Sequence, residues 1–106
     1  MVKRFEVHLV NLDPTMNGKA HSLRPCVVVS PDEMNRYLST VIIAPLTTKQ
    51  KDIPTRIGIN FRFKSGQIAL DQLRTVDKKR LVKALGKVSN KAKQEIISIL
   101  NEMFAE

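Results

Sequence analysis

The sequence is poor in the residues on which many small enzymes and secreted domains depend. It has one cysteine, Cys26, so no internal disulfide can form and a chain stapled by oxidation is excluded. It has two histidines, His8 and His21, and no Cys/His grouping at zinc-ligand spacing, so no metal site and no cofactor are expected. Four glycines are scattered along the chain, and none opens a phosphate-cradling loop ahead of a helix. No Gly-x-Ser-x-Gly elbow is present, which withdraws support from acyl transfer. No stretch approaches the ~18 consecutive apolar residues of a membrane span. Met1 to Glu6 carries positive charge without the apolar run that a signal peptide needs after it. A cytoplasmic protein with no membrane contact is expected.

Acidic residues are scarce as well. Against 10 Asp and Glu stand 18 Lys and Arg, a formal net charge of +8 on 106 residues. A chain of that length has room for one core, so residues 1–106 are expected to form a single domain. Its positive field draws phosphate polymers by steering and counterion release.

What is present is mostly strand. Val7 to Leu12 is apolar and stops at the turn signal Asp13-Pro14. A polar loop, Thr15 to Leu23, leads to the β-branched run Cys26 to Ser30, and Pro31 to Arg36 can hold one helical turn. Thr40 to Ala44 is too short and too β-branched to favour a helix. Thr55-Arg56-Ile57-Gly58-Ile59 alternates with period two, as a strand with one wet face does. Gln67 to Leu70 makes another strand, and Leu81 to Val88 fits strand or helix. Only the C-terminus is plainly helical. Ala92, Ile96, Ile99, Leu100 and Met103 form one stripe, with Ser89 or Asn90 as N-cap. Ile97 and Phe104 widen that stripe, which fits either burial or a dimer or partner surface. Short strands, frequent turns and one terminal helix predict a mainly β fold, a small barrel with a C-terminal helix.

Few residues offer acid–base chemistry. His8 lies inside a strand pattern and reads as structural, while His21 sits in the polar loop just before Leu23-Arg24-Pro25. Pro25 biases Arg24 to an extended conformation at a strand entrance. A guanidinium there presents a rigid fork of donors suited to phosphate. Thr47 and Thr48 follow Ala44-Pro45-Leu46, and Asp71, Arg74, Thr75 and Asp77 cluster after Leu70. Taken singly, each of these is also an ordinary surface residue or turn cap.

Their arrangement is less ordinary. Asn11-Leu12-Asp13-Pro14-Thr15, then Leu23-Arg24-Pro25-Cys26-Val27-Val28-Val29-Ser30, then Ala44-Pro45-Leu46-Thr47, then Leu70-Asp71-Gln72-Leu73-Arg74-Thr75-Val76-Asp77 resemble, in order and spacing, the signature blocks of the MazF/PemK toxin family. The resemblance covers the chain to about Ser89. It implies an SH3-like β-barrel of the MazF/Kid/CcdB type, usually a symmetric homodimer. It implies a toxin of a type II toxin–antitoxin system that cleaves single-stranded RNA selectively.

Catalytic roles then fall on Arg24 and Thr47, with Asp71 matching the aspartate proposed for acid–base work. RNA contacts are expected from Lys19, His21, Thr48, Gln72 and Arg74. The implied partners are a small acidic antitoxin, operator DNA bound together with it, and a second copy of the chain. The expected chemistry is attack by the RNA's own 2′-hydroxyl, with Asp71 or His21 taking the proton. Three positions depart from the family pattern. Arg4-Phe5-Glu6 replaces Arg-Gly-Asp or Arg-Gly-Glu, Asn17-Gly18-Lys19-Ala20 replaces Gly-x-Glu-Gln, and Ala69 stands where an arginine partner of Asp71 is usual. The second is expected to change which RNA sequence is cut. A CcdB-like gyrase-binding toxin or a passive SH3-like RNA-binding protein would share the barrel, and neither would cleave RNA.

Overall fold

Turn residues and β-branched runs partition the chain much as expected. The computed structural model describes residues 1–13, 22–62 and 64–106. The strands are β1 (Glu6–Asn11), β2 (Leu23–Val28), β3 (Thr40–Thr47), β4 (Arg56–Phe61), β5 (Lys64–Ala69), β6 (Arg74–Asp77) and β7 (Leu81–Lys87). Two α-helices, α1 (Asp32–Tyr37) and α2 (Asn90–Phe104), and the 3-10 turns Leu70–Gln72 and Lys78–Arg80 complete the described elements. Hydrogen-bonded neighbours run β4-β5-β3-β2-β1-β7, all antiparallel, and β6 joins β3 off that path.

The eight-residue β3 is the hinge of this half-barrel. Its first half, Thr40 to Ile43, pairs with β6, and its end, Leu46 and Thr47, pairs with β5. The strand runs through Pro45 and Leu46 and carries Thr47, expected just after it, on its last residue. Proline's fixed φ is compatible with an extended strand, so Pro45 does not end it. Between β5 and β6 a single 3-10 turn, Leu70–Gln72, redirects the chain. The ambiguous segment from Leu81 is strand, because it pairs with β1 along nearly its whole length. β6 was not foreseen: four residues are too few for a periodicity to show.

Both faces of the central strands are buried, as their unbroken apolar runs require. Val7, Val27, Ala44, Ile57 and Ile68 meet α2 through Ala92 and Ile96 in one cluster. Val10, Cys26, Val28, Val41 and Ile43 form a second. Ser89 caps α2, its Oγ accepting from Ala92 N–H at 3.2 Å. Ile99, Leu100 and Met103 follow the buried stripe onto the core, whereas Phe104 is 73% exposed. The widened stripe is thus left partly uncovered within this chain.

Phe5 carries a positive φ of 73°. Side chains rarely adopt that conformation, and for an L-residue it costs about 1–2 kcal/mol, which explains why a glycine suits this corner. The phenylalanine is held there by its surroundings. Its N–H donates to Val28 O at 2.7 Å, and its carbonyl accepts from Val88 N–H at 3.1 Å. Two cations lie over its ring, the Arg4 guanidinium carbon at 5.2 Å and Lys93 Nζ at 5.7 Å from the centroid.

Candidate active site

β2 delivers Arg24, β3 delivers Thr47, the start of β6 delivers Arg74, and the adjoining turns deliver Thr48 and Gln72. Arg24 pairs with Val10 of β1 and is exposed, two residues ahead of the buried stretch from Cys26. Thr47 is half-buried at the end of β3, and Thr48 and Lys49 beyond it are exposed. Thr47 Oγ1 accepts from Lys49 N–H at 3.1 Å, so the hydroxyl is fixed by a tight local turn.

Two surface grooves meet at this pair. One, of about 470 Å³, contains Arg24, Thr47, Thr48, Lys49, Gln72 and Arg74. The other, of about 530 Å³, shares Arg24, Leu46, Thr47 and Thr48 and continues over Ile59, Phe61 and Leu85 to the cations Arg62 and Lys64. The structure thus brings five of the eight expected site residues, Arg24, Thr47, Thr48, Gln72 and Arg74, into a single groove. Lys19 and His21 lie outside the described residues. His8 is buried on β1 against Glu6 (Nε2 to Oε1, 3.0 Å), a structural place as expected.

Asp71 stands beside this groove with its carboxylate engaged. Arg56 Nε donates to Oδ1 at 2.7 Å and Arg56 Nη2 to Oδ2 at 3.1 Å, and Thr55 Oγ1 adds a bond to Oδ1 at 3.1 Å. The Arg56 guanidinium holds the carboxyl well below its usual range, at about 2, so Asp71 is ionised at any physiological pH. Sequence reasoning missed Arg56. Its alternating strand placed it on a wet face, yet its side chain is only 2% exposed, covered by the turn that carries Asp71. In the structure Arg56 pairs across the ladder with Ala69, the residue expected to leave Asp71 without an arginine.

Two further residues shape the rim. Arg80 Nη1 donates to the carbonyls of Asn11 (3.1 Å) and Asp13 (2.6 Å), anchoring the end of β1. At Gly66 of β5, a Cβ would lie 2.8 Å from Thr47 O, closer than real contacts allow, so only glycine lets β5 approach the Thr47 backbone. Cys26, behind Arg24, is no nucleophile: burial pushes its thiol up to about 12.

Chemically, the rim offers cations and hydroxyl or amide groups to a phosphate chain, next to an apolar floor on which a base can rest.

Comparison with known proteins gives the same direction. A family model, the PemK-like, MazF-like toxin of type II toxin–antitoxin systems, matches residues 3–104. The endoribonuclease MazF of Staphylococcus saprophyticus subsp. saprophyticus is 34% identical over 102 residues, covering 91% of this chain and 85% of that protein. Among solved structures, an endoribonuclease with its cognate antitoxin from a mycobacterial species superposes with a TM-score of 0.82 at 24% identity, covering 96% of this chain and 93% of that one. A MazE–MazF complex from Deinococcus radiodurans gives 0.79 at 19% identity, covering 98% and 95%. At these identities the two structures speak for the fold.

Proposed function

The chain belongs to the PemK-like, MazF-like toxin family of type II toxin–antitoxin systems, with the activity of an endoribonuclease, and we propose that it cuts single-stranded RNA with Arg24 and Thr47 at the scissile phosphate. The observation that carries the residue assignment is the meeting of two grooves at this pair. A strand lying along both grooves puts one phosphate at their junction.

In this reading the 2′-hydroxyl attacks the neighbouring phosphorus and the P–O5′ bond breaks. The products are a 2′,3′-cyclic phosphate and a 5′-hydroxyl, the leaving oxygen taking up a proton. Arg24 meets the negative charge that builds on the non-bridging oxygens. A preorganised donor in that place is worth about 10²–10³ in rate. Arginine's high pKa suits it to that electrostatic part. Thr47 hydrogen-bonds the phosphate and fixes the in-line geometry. Asp71 or His21 takes the 2′-hydroxyl proton. Asp71 is ionised and able to accept it, although a carboxylate held at about 2 is a weak base. Thr48, Gln72 and Arg74, with Lys19 and His21, contact the RNA on either side. DNA lacks the attacking hydroxyl and is left intact.

The partners in this reading are a cognate acidic antitoxin that competes with RNA for the basic groove, a second copy of the chain, and operator DNA held together with the antitoxin. Among the described residues no helix is long and apolar enough to cross a membrane. The test is the sequencing of the 5′ ends made from single-stranded RNA in EDTA. Ends bearing a 5′-hydroxyl at a recurrent sequence are expected. Cutting only with added Mg²⁺, or 5′-phosphate ends, would overturn the scheme.

A further inference from the structure

The segment that follows Thr47 is clamped from below by two residues of the neighbouring hairpin. Besides gripping Asp71, Arg56 donates through Nη1 to the Lys49 carbonyl at 3.4 Å, and the Lys49 N–H is the group bonded to Thr47 Oγ1. Gln67 of β5 pairs with Lys51 as a strand would: its Oε1 accepts from Lys51 N–H at 3.0 Å, and its Nε2 donates to Lys51 O at 3.1 Å. A short chain of bonds thus runs from a buried guanidinium, through Lys49, to the threonine hydroxyl. The same guanidinium fixes the turn that bears Asp71 and leads to Gln72 and Arg74.

Burying a cation is unfavourable unless its donors are met, and an apolar residue would fill the site without that demand. What a cation adds here is a fixed distance between two backbone turns that both line the groove. We infer that Arg56, assisted by Gln67, is a positioning residue for RNA cleavage: it holds the Thr47–Lys51 segment and the Leu70–Gln72 turn in the spacing that aligns the Thr47 hydroxyl with the phosphate. The inference rests on the Arg24–Thr47 reading of the site. It places a residue that never touches RNA in control of the turnover step rather than of binding.

The experiment compares Arg56→Gln, Arg56→Lys, Gln67→Ala and Arg24→Ala with the unaltered protein, using a single-stranded RNA that carries the mapped cut site. Circular dichroism establishes which variants are folded, and amide hydrogen exchange is read at Lys49. Small misplacements of a reacting group cost up to about a hundredfold in rate. Arg56→Gln is therefore expected to lower kcat at least roughly tenfold with KM changed less than about threefold. Gln67→Ala acts in the same direction by a smaller factor, and serves as the decisive variant should Arg56→Gln fail to fold. Arg56→Lys restores part of kcat, and Lys49 exchange quickens in Arg56→Gln. A folded variant with unaltered kcat, a loss confined to KM, or unchanged Lys49 exchange overturns the inference. Full activity in Arg24→Ala instead overturns the underlying site, and Lys49 exchange then decides on the clamp by itself.

Discussion

Ser30 and Asn35 bond each other in the interior while Arg24 and Thr47 line a shared groove, and the two sets have opposite relations to water. Ser30 and Asn35 are 1% and 0% exposed. Ser30 Oγ bonds Asn35 Oδ1, Asn35 Nδ2 donates to Ser30 O, and Ile42 N–H donates to Ser30 Oγ. These groups answer one another and fasten α1 to β3. At the groove, Arg24, Thr48, Gln72 and Arg74 are exposed, and among the described residues none bonds to the Arg24 guanidinium. Satisfied polar groups hold a fold, whereas donors left facing a shared groove are free to hold a ligand. The Arg56–Asp71 pair lies between the two cases, buried on one side and bordering the groove on the other.

Variants can break this division. Arg24→Ala should show the largest effect, a fall of about 10²–10³ in cleavage rate with the melting temperature almost unchanged. Equal losses of rate and stability would erase the contrast. Asn35→Ala should do the reverse. Stranding buried partners costs about 1–3 kcal/mol, to be read by urea unfolding, while the rate per folded molecule stays at its original value. Thr47→Val keeps the shape and removes the hydroxyl. A loss of roughly tenfold in kcat, about 1.4 kcal/mol of barrier, is expected.

The smallest effect sharpens the intermediate case. Asp71 titrates at about 2 in the folded chain, against about 3.9 when unfolded. A depressed carboxyl pKa stabilises the folded state above the unfolded value, and that contribution fades as pH falls from about 4 to about 2. Urea unfolding measured across that window should show the slope, and Asp71→Asn should flatten it.

The sequence made the barrel and its rim legible for different reasons. Apolar runs broken by Asp13-Pro14 and Pro31-Asp32 mark the strands, and the Ala92–Met103 stripe marks α2. Arg24, Thr47 and Gln72 are singled out by the order of their blocks, since each alone is an unremarkable surface residue, and the fold brings them to one groove. The limits are equally physical. Period two assigns a residue to a face but not to what covers that face, so Arg56 read as wet although the turn carrying Asp71 buries it. Likewise β6, with four residues, exists only because β3 offers it an edge. The Arg4-Phe5-Glu6 departure reads as a mere exchange until φ shows Phe5 occupying glycine's conformation.

With Arg24 and Thr47 as the proposed cutting pair, Gly66 offers a way to silence this protein with its charge unaltered. One added methyl group at that position collides with the Thr47 carbonyl, whereas the basic grooves keep every lysine and arginine. Such an allele lies a single nucleotide away, glycine and alanine codons differing only in their second letter. Its product would be a decoy, disarmed toward RNA while still able to occupy whatever neutralises the active form.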